Sequence, residues 1–118
     1  MRMTFRTTTL LITMAFASAG VPRVAAAQDA AAIKRGQEVY TAQKCQTCHS
    51  IAGKGAKTNP LDGVGGKLSA DEIRQWIVNP TEMAKKANSD KKPPMPNKYS
   101  KLPAADIDAL VAYMQSLK

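Results

Sequence analysis

The chain is 118 residues long, the length of one small domain, and carries a formal net charge of +8. Its two cysteines and one histidine are too few for a structural zinc site, which takes four protein ligands. Basic residues are not interleaved with aromatics, which are 5% of the chain, and this argues against nucleic acid as a partner.

Arg2 and Arg6 precede a short apolar run over residues 10–19, which Gly20 and Pro22 break before Ala25-Ala26-Ala27. A positive start, an apolar segment and a small-residue cleavage point predict an export signal over residues 1–27. The apolar run is about ten residues, short of the roughly 20 that span a bilayer, so a cleaved leader is favoured over an anchor. Residues 28–118 then form one domain whose aromatics are Tyr40, Trp76, Tyr99 and Tyr113. That is a thin core, and domains this small usually need a staple beyond side-chain packing.

Asp29 is placed to cap a first helix over roughly residues 30–44. Ile33, Gly36, Val39 and Tyr40 follow helical spacing and mark its buried face. Glycine costs about 1 kcal/mol inside a helix, so Gly36 predicts a close crossing with another helix.

At the end of this helix stands Cys45-Gln46-Thr47-Cys48-His49. C-x-x-C-H is the pattern of covalent c-type haem attachment. Two cysteines three apart share one side of a helical turn, so both thiols reach the vinyl groups of one porphyrin. His49 follows directly, and its imidazole can swing under the ring to bind iron. A thioredoxin-like dithiol belongs beside a βαβ pattern, and no convincing strand is present. A plain disulfide leaves His49 unexplained. A buried, tethered haem also supplies the apolar mass that the core lacks. Its attachment outside the bacterial cytoplasm agrees with the leader.

Residues 50–67 read as a loop, with Gly53, Gly55, Asn59-Pro60, Asp62-Gly63 and Gly65-Gly66. Ser69 and Glu72 form a capping box that starts a helix with Ile73, Trp76 and Ile77 on one face. Asn79-Pro80 ends or kinks it. A short helix is expected over residues 81–87. A polar stretch follows, in which Pro93, Pro94 and Pro96 enclose Met95. Pro103 is expected at the first position of the last helix, whose apolar stripe is Ile107, Leu110, Val111 and Met114, with Tyr113 and Leu117 at its edge.

A haem bound through His49 leaves one axial position, and no second histidine exists. Methionine sulfur is the natural candidate and raises the reduction potential. After leader removal the choices are Met83, Met95 and Met114. Met114 lies on the apolar stripe, and Met83 sits near a helix end. Met95 stands alone in a proline-stiffened loop, which limits the entropy lost when its sulfur is fixed. An open iron remains the other possibility. Lys85, Lys86, Lys91, Lys92, Lys98 and Lys101 crowd the second half of the chain. They form either a surface that steers an acidic partner or an ordinary solvated face.

Taken together these residues resemble the small class I monohaem cytochromes c of bacteria, over nearly all of residues 30–118. G-x-x-x-Y (Gly36, Tyr40) precedes C-x-x-C-H. N-P-L-D-G-V (residues 59–64), W-I-V-N-P (residues 76–80), Met95-Pro96 and L-x-x-Y (Leu110, Tyr113) follow in the family's order. The chain departs from the pattern in its long, lysine-rich stretch before Met95 and in Pro103, where Ser or Thr is commoner. A four-helix cytochrome c′ differs in carrying C-x-x-C-H near its C-terminus.

The resemblance implies an all-α fold in which the N- and C-terminal helices cross and one or two more wrap the haem. It implies thioether bonds at Cys45 and Cys48, His49 as proximal ligand and Met95 as distal ligand. Pro60 is expected beside His49 with its carbonyl on the other ring nitrogen, and Trp76 as an aromatic lining the haem pocket. Gly36 and Tyr40 would meet Leu110 and Tyr113 at the crossing. The function implied is single-electron transfer in the periplasm by a monomer that meets redox proteins, and not enzymatic catalysis. The alternative is a haem subunit of a larger respiratory or dehydrogenase complex.

Overall fold

The computed structural model describes residues 23–118, with side chains from Asp29 onward. The expected leader, residues 1–27, lies outside the described residues up to position 22. Helix α1 spans Arg23–Ala42, so it starts before the expected boundary and Asp29 lies inside it rather than at its cap. Ala25, Ala26 and Ala27 extend it, alanine being the best helix former. It stops because Lys44 takes a left-handed conformation, φ 57°, which turns the chain into a 3₁₀ turn at Cys45–Thr47.

Residues 50–67 are not a bare loop. Strands β1 (Ser50–Ile51) and β2 (Lys54–Gly55) pair antiparallel. Ala52 and Gly53 join them, both at positive φ (51° and 76°), the geometry of a tight hairpin turn. The Ala52 N–H donates to Asp62 Oδ1 at 2.8 Å, which pins the turn. Helix α2, Val64–Lys67, then leads to α3, Ala70–Val78. The expected capping box opens α3: the Ser69 N–H donates to Glu72 Oε2 at 2.7 Å and the Glu72 N–H to Ser69 Oγ at 3.2 Å.

Helix α4 spans Pro80–Lys86, with Pro80 at its start, where a missing N–H leaves nothing unpaired. Pro80 is fully buried. A second 3₁₀ turn covers Asn97–Lys101. The last helix, α5, spans Ala104–Ser116 with Pro103 as its cap, one position earlier than expected. The Asp106 and Ile107 N–H groups both donate to the Pro103 carbonyl.

The described fold is therefore all-α, five helices with one two-stranded hairpin. Its main joint is the crossing of α1 and α5. A Cβ on Gly36 would overlap the Ala109 carbonyl and come within 2.6 Å of Tyr113 Cβ, so only glycine allows this approach. Beside it Tyr40 and Tyr113 stack edge to face, centroids 5.8 Å apart at 84°, a favoured aromatic geometry. Val39, Ile73, Ile77, Tyr99, Ile107, Leu110, Val111 and Met114 fill the core between these helices and α3. Asp106 pairs with Arg35 of α1 at 2.9 Å, and Asp108 pairs with Arg74 of α3. Helix α5 is thus tied on both flanks.

Candidate functional site

The helices do not close completely on one another. They leave a cavity of about 360 Å³, within the roughly 300–1,000 Å³ usual for small-molecule and cofactor sites. Helix α3 and the segment before it supply apolar wall, including Leu68, Ile73, Trp76 and Ile77. Helix α5 adds Leu110 and Met114, and α1 adds Tyr40. Residues 89–96 form a strap across the remaining side.

Cys45, Cys48 and His49 line this cavity together. They are brought there by the 3₁₀ turn, in which the Cys48 and His49 N–H groups both donate to the Cys45 carbonyl, at 3.1 and 3.0 Å. The hairpin supports the turn from below. Gly55, at φ 105°, passes so close that a Cβ there would overlap the His49 carbonyl, and the Ala56 N–H donates to the Gln46 carbonyl at 3.0 Å. Both thiols are free. Burial pushes the Cys45 thiol up to about 11, so it stays protonated at neutral pH. Burial likewise pushes Tyr40 up to about 12. The Tyr40 hydroxyl is enclosed without a hydrogen-bond partner among the described residues.

His49 is oriented by a carbonyl, but not by the one expected. Its Nδ1 lies 3.0 Å from the carbonyl oxygen of Asn59, one residue before Pro60. Pro60 is exposed and does not line the cavity. The cause is register. Ser50 bridges to this segment with its N–H on the Asn59 carbonyl at 3.3 Å, and the Leu61 N–H returns to the Ser50 carbonyl at 2.8 Å. Carbonyls alternate along an extended segment, so Asn59 offers its oxygen to the His49 side and Pro60 does not. The Asn59 side chain adds a second tie, Nδ2 to the Cys48 carbonyl at 3.2 Å. Asn59 was visible in the sequence only as the first half of an Asn-Pro turn, and nothing in that pattern marks its carbonyl.

The other candidate residues divide clearly. Trp76 lines the cavity and is half-buried. Met95 lines it from the strap, half-buried and packed on the core. Met114 also reaches it, from deep in α5 at 6% exposure. Met83 does not line it. Lys91 and Lys92, two of the lysines that crowd the second half of the chain, stand at the rim, joined by Lys44, which the sequence did not single out.

The donor set fits a tethered porphyrin. Two free thiols and an imidazole share one turn, a thioether sits on the strap, and the space between is mainly apolar side chain. The ring nitrogen opposite the Asn59 carbonyl is left free for iron, and a carbonyl on the far nitrogen is the usual partner of a metal-bound histidine. A scan against family models matches the cytochrome c model over residues 33–118, a span that contains every residue named here as lining the cavity. Searches of curated proteins and of solved structures return no match. Among the described residues no helix is long and apolar enough to cross a membrane.

Proposed function

The chain belongs to the cytochrome c family, and from that premise we propose that it carries single electrons between redox proteins in the periplasm. Haem c is attached through Cys45 and Cys48. His49 and Met95 would supply the two protein ligands of its iron. The observation that carries this assignment is the shared cavity. It gathers Cys45, Cys48, His49 and Met95 within one apolar enclosure.

Bound haem supplies a reversible one-electron couple at iron. The protein's part is to keep everything else still. The Asn59 carbonyl accepts from the Nδ1–H of His49 at 3.0 Å, fixing the ring and its tautomer. Leu68, Ile73, Ile77 and Leu110 exclude water from the pocket. Trp76 closes it as a half-buried aromatic. A thioether at the distal position favours the reduced state relative to harder ligands. His49 and Met95 would hold the iron from this cavity, and side chains that keep their places would leave little to rearrange on electron transfer, as a carrier requires. The rim lysines Lys91 and Lys92 are exposed and offer a docking surface for an acidic partner. The leader over residues 1–27 supports export, and residues 28–118 act as a monomer.

The visible spectrum of the purified protein, oxidised and reduced, tests this. A covalent c-type haem spectrum with a weak far-red sulfur–iron band in the oxidised state is the expected result. A spectrum without that band overturns the methionine assignment.

A further inference from the structure

Met95 sits on a segment with few attachments. Among the described residues, no backbone hydrogen bond ties residues 90–95 to the rest of the fold. Pro93, Pro94 and Pro96 have no N–H to give, and the Lys91 N–H reaches only Ser89 Oγ, at 3.5 Å. The strap is held at its ends instead. Upstream, the Ser89 N–H donates to the Ala84 carbonyl at 2.9 Å. Downstream, the Thr81 hydroxyl meets both ends of the Asn97 carboxamide. Asn97 Nδ2 donates to Thr81 Oγ1 at 3.0 Å, and Thr81 Oγ1 donates to Asn97 Oδ1 at 3.1 Å. Both anchors belong to α4, whose own position is set by fully buried Pro80.

We propose that Thr81 is a positioning residue for Met95, acting through Asn97. Thr81 does not line the cavity, so it has no contact with haem to lose. Asn97 follows Met95 by two residues, and Pro96 between them fixes one backbone angle. Tying the Asn97 side chain to α4 therefore restricts where the sulfur can go. Without the tie the strap keeps its attachment upstream at Ser89, the packing of Met95 itself on the core, and the 3₁₀ turn at Asn97–Lys101 with buried Tyr99 downstream. Local opening would then cost less than global unfolding.

The clamp rests on Met95 being the distal ligand, so the oxidised wild-type holoprotein is measured first. If its far-red sulfur–iron band is absent, the ligand assignment fails and the clamp with it. With the band present, urea titrations follow that band and the helical signal in parallel. Thr81→Val keeps the side-chain shape and removes the hydroxyl. In it the band should disappear at lower urea than the helical signal, with a roughly two- to tenfold rise in the strap-opening constant. Thr81→Ser should restore the wild-type midpoint. Asn97→Ala should reproduce the early loss from the strap side, and adding Thr81→Val to it should change nothing more. Loss of the band at the wild-type midpoint in both single variants overturns the proposal. So does early loss in Thr81→Val that Thr81→Ser leaves unrepaired, since that would be packing and not the hydroxyl.

Discussion

His49 depends on a carbonyl that is itself fixed by the backbone. The Asn59 oxygen accepts from His49 Nδ1 and from the Ser50 N–H, so the backbone bridge between the haem motif and residues 59–61 holds in place the oxygen that orients the ring. Met95 has no such double hold on its own atoms, and its contribution is the easier one to isolate. Met95→Ala should keep the covalent haem, because Cys45, Cys48 and His49 are untouched. It should erase the far-red band and lower the reduction potential, within the roughly 0.8 V that axial ligands can span. Electrochemical titration of wild type and variant checks this. An unchanged potential with the band retained would hand the distal role to another sulfur, and Met114 is the one that also lines the cavity.

The capped start of α3 matters to the site because α3 supplies Ile73, Trp76 and Ile77 to the cavity wall. Ser69→Ala removes one half of the capping box and should cost about 1 kcal/mol. For a domain this size that is a fall of roughly 4–8 °C in Tm, read by calorimetry. The other half is pH-dependent. Glu72 accepts from the Ser69 N–H and hydroxyl, which holds its carboxyl below the ordinary carboxylate range. A lowered native value means the stabilisation is complete above the unfolded value of about 4.3 and is lost as pH falls through the native one. Glu72→Gln should therefore flatten the acid limb of the stability profile below about pH 4.3 while leaving its shape at neutral pH alone. This element was legible from S-x-x-E and a 3.6-residue stripe. So were the α1–α5 crossing, from Gly36, and the haem turn, from five contiguous residues. The hairpin at 50–55 was not, because its tight turn uses Ala52 at positive φ where Asn or Asp would have announced it. The start of α1 was misplaced because Asp29 looks like a cap whether or not alanines continue the helix behind it. The Asn59 carbonyl and the Thr81–Asn97 tie were invisible for a common reason. Both are long-range hydrogen bonds that depend on register, and a backbone oxygen or an exposed hydroxyl carries no residue-level pattern.

At the scale of the whole molecule the charge is unbalanced, +8 over the chain, and its uneven placement gives that a use. Among the described residues the acidic side chains Asp106 and Asp108 are already paired to Arg35 and Arg74, and Glu82 to Lys85. Lys91 and Lys92 take part in none of these pairs, are exposed, and stand at the mouth of the cavity. Free cations around the opening of a low-dielectric pocket focus the field there and raise encounter rates with a negative surface by roughly 10–1,000-fold at low salt. Exposed charges act over about 10 Å at 0.1 M ionic strength, so the effect must fade as salt rises. Stopped-flow electron transfer to an acidic redox protein should slow with ionic strength in the wild type. Lys91→Glu with Lys92→Glu should cut the low-salt rate about tenfold and flatten the salt dependence, with the two proteins converging near 1 M, where the screening length is about 3 Å. Retention of the far-red band in the double variant is the control that the strap and its sulfur are intact. A double variant with the wild-type rate and salt slope would move the docking surface away from the cavity mouth and leave these lysines as ordinary solvated charge.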